Sequence, residues 1–244
     1  PILMATVATV RFPSAALDRQ VTYSVILPEK GTGPFAVLYQ LHGRTDDHRA
    51  WLEQSNLVRH VAALPLIVVL PDGETSFYAD IHPLQRFETF VVHDLPAHVR
   101  RTFHVRDGKA AIGGLSMGGY GAIRLGLSHP DRYASIFAHS SRLPSRAELP
   151  DLSFARGLDA ASLDALDVDA LAARLDRETM PRLAFDCGTE DHLLGDSRRF
   201  HAVLDRHGIP HEYAEHPGAH TWNYWDRHVE TALAFHARAL GLPG

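Results

Sequence analysis

Hydrophobic positions along this chain follow two patterns that alternate with each other. Short runs dominated by apolar residues predict strands covered on both faces, at residues 36–41, 66–70, 110–112, 133–138 and 183–187. Longer stretches with apolar residues at helical spacing predict helices, at residues 51–63, 87–102, 120–127, 197–207 and 223–240. A more polar segment, residues 212–215, is predicted as the last strand. Strands that alternate with helices favour βαβ units and a largely parallel sheet.

Two regions depart from this alternation. Apolar and polar residues alternate with a period of two over residues 5–12 and 21–27, which predicts an opening antiparallel pair of strands. Residues 142–177 are rich in Ala, Leu, Asp and Arg, poor in strand formers, and too long for an ordinary connection. This stretch is interpreted either as a small helical cap within residues 142–178 or as surface decoration. The predicted fold is a single α/β domain over residues 1–244, with a mostly parallel sheet and helices on both faces.

Composition excludes several classes of partner. The 244 residues are 45% hydrophobic and 22% charged, which is the balance of an ordinary globular domain. The net charge of -5 gives no basic face, so we predict no nucleic-acid partner. No apolar run has the length that spans a bilayer, which predicts no membrane span. The first residues lack the pattern of a signal peptide, and this favours a cytoplasmic protein unless the N terminus has been trimmed.

Histidine is unusually common, with 17 residues, whereas cysteine occurs once, as Cys187. A single cysteine cannot form an intrachain disulfide. Histidine is a frequent metal ligand, but the sequence has no H-E-x-x-H motif and no Cys/His spacing of a zinc site. We therefore interpret the histidines mainly as surface residues and predict no metal and no cofactor.

The pentapeptide at residues 114–118 has the form G-x-S-x-G and lies between a predicted strand and a predicted helix. This is the context of a nucleophile elbow, in which a serine side chain is lifted clear of the sheet. Glycines permit the sharp turn and the close approach of a substrate. Ser116 is therefore the predicted nucleophile, and a glycine-rich turn with a solvent-facing serine is the alternative interpretation.

A serine nucleophile requires a base, and the base requires a third group that holds it in the right tautomer. With a nucleophile elbow, the acid and then the histidine follow the serine along the chain. Asp191 lies in the turn after the predicted strand at residues 183–187, at the sheet edge where such sites form, and is the predicted acid. Glu190, Asp186 and Asp196 are the neighbouring alternatives.

Eight histidines follow Asp191, and their positions decide between them. Four of them lie on predicted helices and His211 opens the last strand, whereas His216 and His220 flank the loop between that strand and the last helix. A base on that loop can reach over the elbow. His220 is the predicted base and His216 is the alternative.

An oxyanion formed during ester hydrolysis needs backbone donors. The amide of Met117, directly after the nucleophile, and the amide of Arg44, in the loop after residues 36–41, are the predicted donors. Glycines near the end of a strand can instead form a phosphate-binding loop, but the motifs of such loops are absent from the sequence. Further substrate-binding candidates, several of which also fit a core role, are His42, Gly43, Phe77, Tyr78, Trp222 and Trp225.

Four segments together resemble the esterase D family of α/β-hydrolases: residues 41–43, 114–121, 186–191 and 218–222. The similarity extends over nearly the whole chain, residues 21–235, and is strongest to small bacterial tributyrin-type acyl esterases. The aromatic residues Trp222, Tyr224 and Trp225 match a Trp-rich stretch of those esterases. The resemblance implies an α/β-hydrolase fold, a triad of Ser116, Asp191 and His220, and oxyanion amides at Met117 and Arg44.

The function predicted from these residues is a serine carboxylesterase that hydrolyses short-chain acyl esters of small molecules through an acyl-enzyme. S-formylglutathione hydrolysis is an alternative activity within the same family. The related S-formylglutathione hydrolases carry a Thr-Cys pair where this chain has Thr45 and Asp46, and this difference argues against that activity without excluding it. Feruloyl or acetyl-xylan ester hydrolysis is another alternative. A catalytically silent binding protein with a hydrolase fold is the alternative outside enzymes. Neither the acyl-chain preference nor the oligomeric state is predicted.

Overall fold

The computed structural model describes residues 5–243. Its strands, numbered along the chain, are β1 (Thr6–Ser14), β2 (Arg19–Leu27), β3 (Ala36–Leu41), β4 (Leu66–Pro71), β5 (Asp80–His82), β6 (Gln85–Arg86), β7 (Ala110–Leu115), β8 (Tyr133–His139), β9 (Arg182–Gly188) and β10 (Glu212–His216). One eight-stranded sheet has the order β1-β2-β4-β3-β7-β8-β9-β10. The strands β5 and β6 form a separate antiparallel pair.

The strand directions bring the predicted site residues to one edge of the sheet. β1 pairs with β2, and β2 with β4, in antiparallel orientation, which confirms the predicted opening pair. Every pair from β4 to β10 is parallel. The carboxyl ends of β3, β7, β9 and β10 therefore meet at the same edge. The loops after these four strands contain the predicted oxyanion residue, nucleophile, acid and base.

The α-helices are α1 (Ala50–Glu53), α2 (Leu57–Val61), α3 (Phe87–Thr89), α4 (Leu95–Thr102), α5 (Met117–Ser128), α6 (Ala160–Leu166), α7 (Val168–Ala173), α8 (Leu194–Arg206) and α9 (Trp222–Ala239). Alternate side chains of β3 enter two separate cores. Val37 and Tyr39 pack with residues of α4, α5 and α8, whereas Ala36 and Leu38 pack with residues of α1, α2 and α9. Helices thus cover both faces of the sheet, as the near-continuous apolar runs predict.

The predicted single helix at residues 51–63 is wrong, because α1 and α2 are separated by residues 54–56. The amide N–H of Asn56 donates to Oδ1 of Asp226 at 2.6 Å, and its side-chain amide donates to Oδ2 at 2.8 Å. Asp226 belongs to α9, so a contact distant in sequence holds Asn56 out of a continuous helix. Local propensity is overridden here by tertiary structure.

The predicted helix at residues 87–102 is continuous but changes its winding, with a π-helical turn at Phe90–Asp94 between α3 and α4. Pro96 lacks an N–H group, and in a regular α-helix its ring would clash with the carbonyl of Val92. That carbonyl accepts a hydrogen bond from the Arg132 guanidinium at 3.2 Å. The wider turn accommodates Pro96 and leaves the Val92 carbonyl with a partner.

Residues 142–178 connect β8 to the strand β9 and contain a 3₁₀ turn, Leu149–Asp151, followed by α6 and α7. The carboxylate of Asp159 accepts the Ser162 amide at 2.8 Å and so caps the first turn of α6. Apolar residues of both helices are buried in the same core as α5. A mobile cap role for this stretch stays a prediction. Within the described part of the chain, no helix is long and apolar enough to cross a membrane.

Candidate active site

Ser116 occupies a strained turn between β7 and α5. Its φ of 53° and ψ of -114° lie outside the regions that residues other than glycine prefer. Neighbouring glycines make room for this turn, since a Cβ on Gly114 would lie 2.5 Å from the carbonyl oxygen of Gly118. A Cβ on Gly118 would in turn lie 2.5 Å from the carbonyl oxygen of Leu41. The sequence thus requires glycine at both flanking positions and presents the serine above the sheet edge.

His220 links the serine hydroxyl to a carboxylate. Its Nε2 lies 3.0 Å from Ser116 Oγ, and its Nδ1 lies 2.8 Å from Oδ2 of Asp191. A carboxylate only accepts, so Nδ1–H donates to Asp191 and Nε2 is left to accept from the serine hydroxyl. This tautomer is the one that a histidine needs to take a proton from a serine.

Asp191 lies in the turn after β9, and its side chain is fully buried. Burial raises the pKa of this carboxyl, but hydrogen bonds from His220 and from the Leu193 amide outweigh that effect and lower the pKa below its ordinary value. The Leu193 amide donates to Oδ1 at 2.8 Å, so both carboxylate oxygens have donors. Asp191 is therefore ionised at neutral pH and fixed in orientation.

The alternative acids make other contacts. Oδ1 of Asp186 accepts from His139 Nδ1 at 2.9 Å and from the Tyr224 hydroxyl at 3.1 Å, inside the sheet. Glu190 accepts the backbone amide of Gly218 and so ties the two loops together. Asp196 pairs with Arg142 at 2.5 Å.

The alternative base, His216, lies apart from Ser116. Its ring stacks on that of His228, with centroids 4.4 Å apart and an angle of 11° between the planes. The structure therefore brings His220, and not His216, to the serine.

The predicted oxyanion residues lie beside the nucleophile. A Cβ on Gly43 would lie 3.8 Å from Ser116 Cβ, which shows how closely the loop after β3 passes the serine. Met117 begins α5, so its amide is among the N-terminal groups that have no acceptor within the helix. Arg44, Ser116 and Met117 all line one cavity.

That cavity has a volume of about 500 Å³. Both apolar and polar residues line it, namely Arg44, Phe77, Ser116, Met117, Arg142, Leu152, Ser153, Phe154, His192, Leu193 and Asp196. Phe77 and Phe154 stack face to face, with ring centroids 4.1 Å apart and an angle of 10°. Residues 142–178 contribute four of the lining residues, including Phe154. Sequence reasoning missed these four, because that stretch carries no motif.

Of the six substrate-binding candidates, the cavity wall contains Phe77 alone. The ring of Tyr78 is fully buried, and its hydroxyl accepts from the His42 amide at 3.0 Å and donates to the His42 carbonyl at 3.1 Å. His42 Nε2 accepts the Gly73 amide at 2.9 Å. Tyr78 and His42 therefore hold the loop that carries Arg44 and do not line the cavity.

The two tryptophans also stand behind the site. Trp225 is buried and meets the His220 ring edge-on, with centroids 4.9 Å apart. Trp222 packs against Trp51 at 5.1 Å and against Trp225 at 5.3 Å. These residues support the loop that carries His220, and Gly43 forms part of the backbone beside Ser116. The expectation that Trp222 and Trp225 wall the pocket is not met.

A buried ion pair between Arg124 and Glu88 holds the turn that contains Phe77 and Tyr78. Arg124 of α5 donates to Glu88 Oε2 at 2.6 Å and to the carbonyl of Tyr78 at 2.6 Å, and its side chain is 2% exposed. Burial raises the pKa of Glu88, but Arg124 and His129 outweigh this and lower it to about 2. Phe77 and Tyr78 both have positive φ, at 53° and 54°, which is unfavourable for aromatic residues. Arg124 thus anchors a strained turn to the helix that follows the nucleophile.

Comparison with known proteins identifies the family to which the chain belongs. Over residues 14–236 the chain matches the family model Esterase, described as "Putative esterase". It is 30% identical over 259 residues to an acetyl esterase of Caldicellulosiruptor saccharolyticus, a match that covers 92% of this chain and 95% of that protein.

Solved structures share its fold. FphF, a fluorophosphonate-binding serine hydrolase of Staphylococcus aureus, superposes with a TM-score of 0.87 at 23% identity, covering 96% of this chain and 98% of that one. An S-formylglutathione hydrolase from Agrobacterium tumefaciens gives a TM-score of 0.88 at 24% identity, covering 98% and 96%. The predicted α/β-hydrolase fold and the resemblance to an esterase family are confirmed. The chain belongs to the Esterase family, and it is a serine hydrolase that acts on carboxylic esters.

Proposed function

We propose that this chain hydrolyses short-chain acyl esters of small molecules through an acyl-enzyme on Ser116. The observation that carries the proposal is the continuous chain of hydrogen bonds from Ser116 Oγ through His220 to the buried carboxylate of Asp191, at 3.0 and 2.8 Å. A serine hydroxyl is a weak nucleophile without such a base.

In the first half of the reaction, Ser116 Oγ attacks the ester carbonyl carbon while His220 Nε2 takes the hydroxyl proton. The tetrahedral oxyanion accepts hydrogen bonds from the amides of Met117 and Arg44. As the intermediate collapses, His220 gives the proton to the alcohol oxygen, and the alcohol leaves. Asp191 stays ionised throughout and stabilises the imidazolium.

In the second half, water takes the place of the alcohol. His220 removes a proton from the water, whose oxygen attacks the acyl carbon, and the same two amides hold the oxyanion. Collapse releases the carboxylic acid and returns the proton to Ser116 Oγ.

The lining of the cavity supports an apolar acyl group beside Ser116. Phe77, Leu152 and Phe154 are its apolar lining residues, and we infer that the stacked phenylalanine rings favour a short acyl chain over a long one. Tyr120 packs edge-on against both rings, with centroids 5.8 Å away in each case, and so holds them in position. The acetyl esterase relative is consistent with this substrate class.

The test is hydrolysis of p-nitrophenyl esters from acetate to decanoate, with S-formylglutathione measured alongside. We expect the highest kcat/KM between acetate and butyrate, and Ser116→Ala should lose at least 10³-fold in kcat. A strong preference for S-formylglutathione would replace the short-chain assignment by the thioester one. No hydrolysis of any of them would direct the search to aryl and carbohydrate esters.

His220→Ala and His216→Ala form a matched pair that tests the base. The first should lower kcat about as much as the serine variant, because both residues act as one unit. The second should leave kcat nearly unchanged, since its ring stacks on His228. A reversal of the two results would contradict the assignment of His220.

A further inference from the structure

A second cluster of chemically active side chains lies at the opposite edge of the sheet from Ser116. His201 and Asp205 occupy successive turns of α8, and His211 directly precedes the amino end of β10. Each offers one ligand atom, and these atoms lie within 4.8 Å of one another. The nucleophile, by contrast, follows the carboxyl end of β7. The parallel strands therefore separate this cluster from the catalytic residues.

His211 is held in a defined tautomer. Its Nδ1 lies 2.7 Å from the backbone carbonyl of Ile209, and a carbonyl only accepts, so Nδ1 carries the proton. Its Nε2 therefore presents a lone pair, which lies 2.7 Å from His201 Nδ1 and 3.9 Å from an Asp205 oxygen. Histidines that bind metals commonly donate their other N–H to a carbonyl in this way, which orients the ring.

The burial of the three side chains suits entry of an ion from one side. The side chain of His211 is 5% exposed, whereas those of His201 and Asp205 are 38% and 62% exposed. The innermost ligand is thus fixed by the fold, and the two outer ligands can adjust. Two residues one turn apart on a helix face the same direction, so α8 presents both of them to His211.

We propose that His201, Asp205 and His211 bind a Zn²⁺ ion. Two imidazoles and a carboxylate form a ligand set that zinc favours, with water in the fourth position, whereas Mg²⁺ and Ca²⁺ favour oxygen ligands alone. In a tetrahedral site with Zn–N distances of about 2.05 Å, the two imidazole nitrogens lie about 3.3 Å apart. They are now 2.7 Å apart, and the ion takes the place of the proton shared between them. The half-exposed ring of His201 can make the required sub-ångström shift.

Two other groups of ligand side chains are less suited to zinc. His220 is already hydrogen-bonded to Asp191 through Nδ1 and to Ser116 through Nε2, so an ion there must break one of those bonds. His216 and His228 stack nearly parallel, and lone pairs in parallel ring planes do not converge on one point. The third member of that group, Asp186, already accepts from His139 and Tyr224.

The experiment is titration of the metal-free full chain with Zn²⁺ in competition with a chromogenic zinc chelator. Asp205→Asn and His211→Gln are the test variants, and His228→Gln is the matched control. We expect the wild type and the control to bind one equivalent at micromolar Zn²⁺, and both test variants to bind it at least tenfold more weakly. Undiminished zinc binding by both test variants would overturn the proposal, as would the absence of micromolar binding by the wild type.

Two further readouts separate this site from the others. Zn²⁺ should raise the Tm of the wild type but not that of Asp205→Asn. The Asp205 side chain is 62% exposed, so we expect this variant to fold as the wild type does. Hydrolysis of p-nitrophenyl acetate by the Asp205 variant should equal that of the wild type without zinc, because the cluster lies at the far edge of the sheet. An equal rise of Tm in the variant would show that the stabilising zinc binds elsewhere and would refute the assignment.

Discussion

Replacing Glu88 by glutamine tests whether the buried ion pair of Glu88 and Arg124, which anchors the turn at Tyr78, stabilises the fold. Glutamine keeps the shape of the side chain and can still bond to both partners, but it removes the negative charge. The guanidinium of Arg124, whose side chain is 2% exposed, then remains as an uncompensated buried charge. Breaking a buried pair in this way typically costs about 3–5 kcal/mol.

The pKa of Glu88 gives an independent magnitude. Its lowering from 4.5 to about 2 corresponds to a contribution of about 3 kcal/mol at neutral pH. Glu88 is 24% exposed and its partner Arg124 only 2%, so most of this contribution survives screening by solvent. Because the folded-state pKa lies below the unfolded value, the contribution is complete above about pH 4.5 and is lost as the pH falls toward 2. Glu88→Gln should therefore be less stable at neutral pH and should lose less stability in acid.

The assay is urea unfolding at pH 7 and at several values down to pH 3. Glu215→Gln is the matched control, because the pKa of Glu215 is also lowered to about 2, by Arg198 and Tyr213, but the guanidinium of Arg198 is 61% exposed. The control should unfold nearly as the wild type does, since exposed pairs contribute little. A Glu88→Gln variant as stable as this control at pH 7 would refute the reasoning about burial.

Two other predictions concern the cavity and the loop beside it. Phe154→Ala removes one of the stacked rings, so it should raise the ratio of kcat/KM for p-nitrophenyl octanoate to kcat/KM for the acetate roughly tenfold. An unchanged ratio would exclude Phe154 as the residue that limits acyl-chain length. Tyr78→Phe leaves the amide and the carbonyl of His42 without their buried partner. In urea unfolding the variant should be less stable by about 1–3 kcal/mol. In steady-state kinetics its kcat should fall more than its KM changes. Full stability and full kcat in that variant would contradict the supporting role of Tyr78.

The elbow could be predicted because its causes are local. A strand, a glycine-bounded serine and a helix are adjacent in sequence, and the close approach of backbone at Gly114 and Gly118 is the reason that glycine stands there. The proposed acid and base, Asp191 and His220, were inferred from their positions after β9 and β10. Parallel strands bring such loops together at one edge whatever the details of packing.

Features that depend on contacts between residues distant in sequence could not be predicted from the sequence pattern. The break at residues 54–56 requires Asp226, which lies on the last helix. The cavity wall at Phe154 depends on how residues 142–178 fold back over Phe77. The cluster of His201, Asp205 and His211 has no zinc spacing motif, because its ligands come from a helix and from the chain that precedes a strand. The sequence pattern alone therefore predicted no metal.

The proposed catalytic residues and part of the cavity wall belong to different parts of the fold, the sheet and the connection at residues 142–178. The proposed triad residues Ser116, Asp191 and His220 follow strands of the sheet, so a change in any of those strands moves them. Leu152, Ser153 and Phe154 stand on a connection that contributes no strand to the sheet. Selection can therefore remodel this wall of the cavity while the residues of the proposed triad stay in register. Exchanging residues 142–178 between relatives should therefore transfer substrate preference and leave the positions of Ser116, Asp191 and His220 unchanged.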